Sequence, residues 1–367
     1  MAAQIGGGSR FAPLKRRAGR AGPWGARLKL GLSQHLHMRP LAAAAILLML
    51  AIPALAQSSA PGRIEIRAAP ITAFDNRDKE LLRFGMLEFR GGLELTSPSK
   101  EFGGISAIRV APDGAHFIAA TDKSLWLRGR IVYAGSRPAG IADAEMAPML
   151  DAAGNRLAAR GWYDTESIAE DGGMLYVGIE RVQRIVKFDF AKDGLRARGV
   201  SIPLPAKVAT LPRNKGLEAL VVVPKEFPLA GTLIAVSETG DASGNLSGFL
   251  IGGPSPGEFA VKRTDEFDVG DSAILPGGDL LLLERRASWL RGIAVRIRRI
   301  ALADVRPGAI VDGPVIFSTD LGQQIDNLEG LSVHRAATGE IVLTLVSDDN
   351  FSALQRTLLL QFTLVGE

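Results

Sequence analysis

The sequence contains no cysteine, and only four histidines occur in its 367 residues. The absence of cysteine excludes disulfide bonds, thiol catalysis and cysteine metal sites. Two of the histidines, His35 and His37, lie near the start, which leaves His116 and His334 for the rest of the chain. Both lie in turn or strand-end settings, so we expect exposed polar side chains rather than catalytic bases. A histidine-rich transition-metal site is disfavoured for the same reason.

Acidic residues are missing from the start of the chain. The first carboxylate is Glu65, whereas the first 40 residues hold eight basic residues. An apolar run, Leu41–Leu55, follows, and the chain then continues with Ala56 and Gln57. A basic region, a short apolar run and an A-x-A site predict a secretory signal peptide over residues 1–56. An uncleaved anchor is the alternative.

A start at Met38 would give this signal peptide an ordinary length. The remaining part, residues 57–367, has no composition change typical of a linker, so we expect a single domain. It would be periplasmic or secreted, monomeric, and without a stable membrane span after cleavage.

Removal of the signal peptide reverses the sign of the net charge. The whole chain has 43 Lys and Arg against 39 Asp and Glu, whereas residues 57–367 have 35 against 39. The high pI therefore comes from the signal peptide and does not support nucleic-acid binding, which needs a basic patch on the folded surface.

Five segments repeat one plan, in which a polar residue opens a short strand and another polar residue closes the next apolar strand. Their opening residues are Ser106, Glu166, Glu218, Ser272 and Glu329, at steps of 60, 52, 54 and 57 residues. Helix-period stretches are few. A repeat of this period, built from strands and turns, predicts an all-β fold, the β-propeller.

The number of blades follows less directly from the repeats. The segments before Ser106 and after Glu329 together exceed one blade, so six blades are favoured and five are the alternative. In the six-bladed arrangement a strand near Ile64 pairs with a C-terminal strand over Thr357–Leu364, and this pairing closes the ring without an exposed edge.

The repeats place polar residues on one rim, because the start of one antiparallel strand lies beside the end of the next. If the hairpins are the inner strands of their blades, this rim is one mouth of the central channel. The acids expected there are Asp122, Glu166, Glu180, Glu218, Glu238, Glu284, Glu329 and Asp348, and the cations are Arg181, Lys215 and Arg285. So many carboxylates repel one another unless a cation or interleaved Arg and Lys neutralise them.

Calcium suits such a rim, because it takes about six to eight oxygen ligands from carboxylates, carbonyls and water. The predicted metal ligands are Glu166, Glu218, Glu329, Asp348, Asp349 and Asn350. The alternative is that the glutamates are structural and accept backbone hydrogen bonds. Likewise, Arg181, Lys215 and Arg285 either pair with neighbouring glutamates or bind phosphate oxygens of a substrate.

The ordered motifs GGISAI, DTESIA, NKGLEAL, DNLEGLSV and LVSDDNF, behind a signal peptide, resemble the phytase-like family of secreted bacterial β-propeller proteins. The resemblance covers Phe84 to Leu364 and implies ester or phosphoester hydrolysis with calcium. The positions marked in the family fall on Glu166, Lys215, Glu218, Glu329, Asp348 and Asn350. The fourth repeat departs from the pattern, since it has Ser272 where three others have Glu.

The resulting hypothesis is a calcium-dependent hydrolase of small phosphoester or ester substrates. Its catalytic residues would be Glu166, Glu218, Glu329 and Lys215, and its substrate-binding residues Arg181, Lys215 and Arg285. The glutamate rim would hold a calcium that lowers the pKa of a bound water, while the cations stabilise transition-state charge.

Two other functions are weighed against this hypothesis. A serine esterase is disfavoured, because Gly104–Ile108 (GISAI) lacks the final glycine of a nucleophile elbow and the strand-turn-helix context. A non-enzymatic propeller, stabilised by calcium and binding a ligand or protein partner in the periplasm, is the alternative of another class. Fold alone cannot choose between catalysis and binding.

Overall fold

The computed structural model describes residues 60–212, 215–240, 243–288 and 292–366. The predicted signal peptide and the alternative start at Met38 lie outside these ranges. Within them, every helix is too short or too polar to cross a membrane.

The described residues are mostly strands, and the first four precede the repeats: β1 (Gly62–Arg63), β2 (Arg67–Ile71), β3 (Arg83–Phe84) and β4 (Leu87–Thr96). Blade 1 contains β5 (Ile105–Val110), β6 (His116–Thr121), β7 (Leu125–Ala134) and β8 (Arg137–Pro148). Blade 2 contains β9 (Leu150–Asp151), β10 (Thr165–Asp171), β11 (Met174–Ile179), β12 (Arg184–Asp189) and β13 (Arg198–Ser201).

Blade 3 contains β14 (Leu217–Val222), β15 (Leu233–Gly240), β16 (Leu246–Ile251) and β17 (Gly257–Val261). Blade 4 contains β18 (Asp268–Ile274), β19 (Leu280–Ser288) and β20 (Gly292–Ile300), followed by β21 (Ile310–Val311), which joins blade 3, and β22 (Val315–Asp320), which completes blade 4. Blade 5 contains β23 (Leu328–Arg335), β24 (Ile341–Ser347) and β25 (Thr357–Leu364).

Helical structure is confined to connections. The α-helix α1 spans Phe190–Asp193, and 3-10 turns span Ala158–Arg160, Glu180–Val182, Gly194–Arg196, Ala206–Thr210 and Leu302–Asp304.

These sheets form a β-propeller, as predicted, and the described residues form five blades rather than the favoured six. The sixth blade is not needed because the N-terminal strands are divided between two sheets. β1 pairs with β8 of blade 1, whereas β4 pairs with β25 and carries β2 and β3 at the edge of blade 5. The ring is thus closed by β4, from Leu87 opposite Leu364 onward, and Ile64 lies between strands instead of pairing there.

Apolar residues fill the spaces between neighbouring blades. Between blades 4 and 5, for example, Phe74 is fully buried and its ring centroid lies 4.8 Å from that of Phe84 and 5.1 Å from that of Phe362. Such aromatic packing adds to the burial of apolar surface. This apolar cluster therefore anchors the N-terminal segment that closes the ring.

The channel is crossed by a buried ion pair that the repeats did not reveal. Arg109, on β5, donates to both carboxylate oxygens of Asp271 on β18, at 2.8 and 2.9 Å. It also donates to the carbonyl oxygens of Leu220 and Leu331, on blades 3 and 5. Burial raises the pKa of Asp271, so its charged form depends on Arg109. One guanidinium thereby ties four blades together.

Substitution of Asp271 by Asn tests this tie. Because the largely buried Arg109 would lose its counter-charge, we expect the free energy of unfolding to fall by about 3–5 kcal/mol. Urea denaturation measures the loss. The matched control is Asp143→Asn, which breaks an exposed pair with Arg130 and should cost less than about 1 kcal/mol. Equal effects of both substitutions would contradict the account.

Candidate functional site

In each blade the first strand of the repeated hairpin carries a one-residue β-bulge near its first residue. The unpaired residues are Ser106, Glu166, Glu218, Gly270 and Glu329. A bulge takes one residue out of the ladder and re-aims its side chain. Four of the five blades therefore present a polar side chain at the same structural position, beside the channel mouth.

A second set of side chains comes from the residue that follows the paired part of each second strand. In four blades its backbone N–H donates to the carbonyl oxygen of the residue two positions before the bulge. These pairs are Asp122 with Gly104, Glu180 with Asp164, Glu238 with Gly216 and Asp348 with Asn327, at 2.9–3.0 Å. The hydrogen bond fixes an acidic side chain next to each bulge.

The fourth blade differs from the sequence alignment of the repeats. Its bulge residue is Gly270, so Ser272 lies two residues further along β18 and is buried. Arg285 pairs with Asp268 and occupies the closing position. An arginine thus stands where the other blades have an acid.

The prediction that Glu284 lies at the mouth is wrong. Its side chain is fully buried and forms ion pairs with Arg296, at 2.7 Å, and with Arg298. Both arginines are on β20, within blade 4. The error arises because the polar pattern of the fourth repeat is offset from its strand pairing.

Three of the bulge residues and all five closing residues line one polar cavity of ≈ 250 Å³ at the mouth. Its lining is Asp122, Asp164, Glu166, Glu180, Glu218, Glu238, Arg285, Asn327, Glu329, Asp348 and Asn350. One carboxylate oxygen from each of Glu180, Glu218 and Glu238 lies within 4.8 Å of the other two. The donor set is rich in carboxylate oxygens and fits a hard cation such as calcium.

Burial and mutual repulsion raise the pKa values of the mouth carboxyls. The pKa values of Glu166 and Glu218 are raised well above the ordinary value, first by burial and then by neighbouring carboxylates. Burial, with the charge of Glu329, raises the pKa of Asp348 to about 9 and that of Asp122 to about 6. The mouth therefore holds protons at neutral pH unless another positive charge replaces them.

Arg285 supplies part of that charge. Its guanidinium lies 3.1 Å from Glu329 and 3.6 Å from Glu238, and it donates to Asn327 at 3.3 Å. Burial works to lower the pKa of Arg285, but the carboxylates Glu329, Glu218 and Glu238 outweigh it and raise the pKa. Arg285 is thus an internal counter-charge of the mouth.

Lys215 and Arg181 lie further out. Lys215 is half exposed, with its Nζ 3.6 Å from Glu238. Arg181 has its guanidinium 3.7 Å from Asp164 and stacked 4.3 Å over the Tyr163 ring. These partners, Glu238 and Asp164, are not the glutamates next to each cation in the sequence, which are Glu218 for Lys215 and Glu180 for Arg181. Neither side chain lines the acidic cavity, and both are about half exposed.

Asp349 lies outside this cavity, unlike the other predicted ligands. Its Oδ1 accepts hydrogen bonds from the backbone N–H groups of Gly104, at 2.8 Å, and Phe351, at 3.0 Å. Its Oδ2 accepts from the Thr357 hydroxyl at 2.8 Å. The side chain therefore ties blade 5 to blade 1. The sequence missed two cavity residues, Asp164 and Asn327, which share only their position before the bulge.

The histidine and serine predictions have mixed outcomes. His116 is exposed, with its Nδ1 2.5 Å from Asp113, whereas His334 is only 7% exposed, so the expectation of exposure is wrong for His334. The stretch Gly253–Gly257 has G-x-S-x-G spacing, but it runs through the turn after β16 and ends on the first residue of β17. A nucleophile elbow needs a strand-to-helix turn, so this serine does not form one.

Comparison with known proteins identifies one family. The sequence model described as "Phytase-like: Esterase-like activity of phytase" matches residues 100–351. No curated protein sequence matches the chain. Among solved structures, a glutaminyl cyclase from Myxococcus xanthus shares 15% identity, with 71% of this chain and 97% of that chain covered and a TM-score of 0.36.

Two further structures are similar at a comparable level. A protein of unknown function from Bacteroides caccae shares 11% identity, covering 65% of this chain and 67% of its own, with a TM-score of 0.29. The β-propeller domain of Cps50 (Swd1) from Myceliophteria thermophila shares 13% identity, covering 67% of each chain, with a TM-score of 0.31.

The raised pKa values predict the pH dependence of stability in the presence of a chelator. A carboxyl with a raised pKa in the folded state contributes stability that is lost as pH rises through that value. For Asp122 and Asp348, these values are about 6 and about 9. We therefore expect the melting temperature to fall as pH rises from about 5 to 9.

The variant Asp348→Asn should show a smaller fall, because its side chain cannot ionise. Asp143→Asn, at an exposed position, is the control and should follow the unsubstituted protein. Differential scanning fluorimetry gives all three curves. A melting temperature that stays level or rises over this pH range in all three proteins would contradict the assignment.

Proposed function

Because the chain belongs to the phytase-like family, we propose that its acidic mouth is the active site of a calcium-dependent hydrolase of phosphoester or ester bonds. The predicted signal peptide supports action in the periplasm or outside the cell. The substrate would be a small molecule that reaches the mouth from solution.

The observation that carries this proposal is the triad of carboxylates from two blades. Glu180, Glu218 and Glu238 approach within 4.8 Å of one another, although burial and neighbouring carboxylates raise the pKa values of Glu180 and Glu218. Buried charges of one sign are retained where they serve a site, since desolvation and repulsion both disfavour them. A divalent cation offsets both effects.

The residues that would hold the cation are Glu180, Glu218 and Glu238, with Glu166 and Glu329 on the same cavity wall. When bound, calcium supplies positive charge that neutralises the phosphate and promotes ionisation of water. The carboxylates would hold the cation, and the hydrogen-bonded strand ends on which they lie fix their backbone positions.

Other side chains supply the remaining functions. Lys215 and Arg181, both about half exposed, would bind substrate phosphoryl oxygens, with the planar arginine suited to two parallel hydrogen bonds. Asp122, with a pKa of about 6, is the carboxyl best suited to exchange a proton near neutral pH. Its Oδ1 accepts from the Ser106 hydroxyl at 2.7 Å, which fixes the carboxyl plane.

A second candidate function is favoured by the position of Arg285. Since its charge is enclosed by Glu238 and Glu329, it is committed to the protein and not to a substrate. A calcium-stabilised propeller that binds a ligand or protein partner would need no further cation. Turnover measurements separate this function from hydrolysis.

We expect Glu218→Gln to lower calcium-dependent kcat/KM for p-nitrophenyl phosphate by at least about 10–100-fold, the usual loss when groups around a catalytic metal are changed. The amide keeps the shape but removes the charge that binds calcium. Glu226→Gln, in an exposed turn at the other end of blade 3, is the matched control. Full activity in Glu218→Gln, or activity that persists in a chelator, would refute the proposal. A calcium-dependent rise in melting temperature without any turnover would instead support the binding function.

Lys215→Met tests whether Lys215 binds the phosphate group of the substrate. The substitution removes an exposed charge, so KM for p-nitrophenyl phosphate should rise about tenfold, as expected for loss of a charge-assisted hydrogen bond worth about 1.5 kcal/mol. Turnover of p-nitrophenyl acetate, which carries no charged acyl group, should stay within about twofold. Equal effects on both substrates would show that Lys215 does not contact phosphate.

A further inference from the structure

A second cavity, of ≈ 370 Å³, lies between blades 5 and 1. It is lined by the turn that contains Gly114 and by the end of β23. These are the strand ends opposite to the bulges, so this cavity is separate from the acidic mouth. Its volume lies in the range of about 300–1,000 Å³ that is typical of small-molecule sites.

One face of the blade 5 sheet presents polar side chains to this cavity, within strands that are otherwise apolar. Gln361 donates to the Thr344 hydroxyl at 3.0 Å and to the Tyr133 hydroxyl of blade 1 at 2.9 Å. Tyr133 in turn donates to the carbonyl oxygen of Gly114 at 2.7 Å. The network spans the gap between the two blades and fixes the side chains around the cavity.

Three residues that line this cavity each have a buried atom without a hydrogen-bond partner among the described residues: Arg90 Nε, His334 Nδ1 and Gln361 Oε1. His334 is 7% exposed and Gln361 is fully buried. Buried polar atoms are seldom left without a partner in native proteins, because each loses its hydrogen bonds to water. Three such atoms, all on residues of one cavity wall, point to a site for a polar ligand.

We propose that this cavity binds a small neutral polyhydroxylated molecule, a sugar or polyol. Arg90 Nε–H requires an acceptor and Gln361 Oε1 requires a donor, while a neutral imidazole nitrogen can take either role. A hydroxyl group is both a donor and an acceptor. Several hydroxyls on one carbon frame therefore match the three atoms together.

The surrounding charges favour a neutral ligand over an anion. Arg90 already pairs with Glu340 at 3.1 Å and donates to Thr363 at 2.9 Å. Asp113, also on the cavity wall, adds negative charge that would repel an anion. Burial, together with the charge of Arg90, lowers the pKa of His334 and keeps its ring neutral.

The rest of the wall suits the carbon frame of such a molecule. Ala336, Ala337 and Val342 line the cavity with apolar groups. Small-molecule sites commonly combine an apolar wall with a few placed polar atoms. This combination distinguishes the cavity from the acidic mouth, whose lining is almost entirely polar.

Proton NMR of the histidine rings in the purified full chain tests the proposal. The probes are D-glucose, D-mannitol and glycerol, with sodium acetate and inorganic phosphate as anions. We expect at least one neutral probe to move the His334 resonances saturably, with a Kd of about 1 mM or tighter, equivalent to about −4 kcal/mol. The exposed His116 serves as an internal control and should not move. His334→Gln and His116→Gln assign the two signals.

Saturable movement with an anion alone would overturn the neutral-ligand assignment. Absence of saturable movement with every probe would mean that the cavity holds only water, and would overturn the proposal as a whole. A linear, non-saturating change in the resonances of both histidines would be a solvent effect. It would count against the proposal in the same way as no change at all.

Two variants locate the binding. His334→Leu removes Nδ1, and Ala337→Trp fills the cavity from an exposed turn position without removing a buried polar group. Calorimetry should show that Ala337→Trp binds the probe at least about tenfold more weakly than the unsubstituted protein. His334→Leu, if it folds, should show the same loss of affinity. Glu218→Gln, at the mouth, should bind the probe normally. Unchanged affinity in Ala337→Trp would contradict this location.

Discussion

Repulsion among desolvated carboxylates is the constraint on which the rest of this structure depends. The mouth places Glu166, Glu218 and Glu329 in one cavity with acids that close the neighbouring strands. Burial and neighbouring carboxylates raise the pKa values of these three glutamates, so the cavity must hold protons or another positive charge. Arg285 offsets only part of the excess. The proposed calcium would offset the remainder.

The fold resists this repulsion because the strand ends cannot separate. The bulges fix one set of side chains, and backbone hydrogen bonds between adjacent loops fix the other. Below the mouth, the ion pair between Arg109 and Asp271 links four blades. The strand β4 closes the ring beside β25. Rigid backbone positions thereby hold side chains that would otherwise move apart, which is what a preorganised metal or catalytic site requires.

The repeat period and the strand pattern were enough to predict a propeller and most of its mouth. In any propeller the polar residues at the start and end of an inner hairpin lie at the same channel mouth. The sequence was therefore enough to place Glu166, Glu218, Glu329 and Asp348 there. The blade count could not, since β1 and β4 are near in sequence but join different sheets.

Other features depend on pairing that sequence patterns do not encode. The bulge at Gly270 shifts the fourth repeat, which buries Glu284 and turns Arg285 to the mouth. Asp349 directs both oxygens to backbone and hydroxyl donors of blades 1 and 5 instead of the cavity. The burial of His334 arises from contact with blade 1, where Gly114 leaves no room for a Cβ beside the imidazole. In each case a neighbouring strand or blade decides the position of the side chain.

Calcium binding to the purified protein is the most direct test of the central claim, that the acidic mouth holds a divalent cation. Isothermal titration calorimetry after removal of bound metal should show saturable binding of calcium, and Glu218→Gln should weaken it by at least about tenfold. Absence of saturable calcium binding, or equal affinity in Glu218→Gln, would contradict the account.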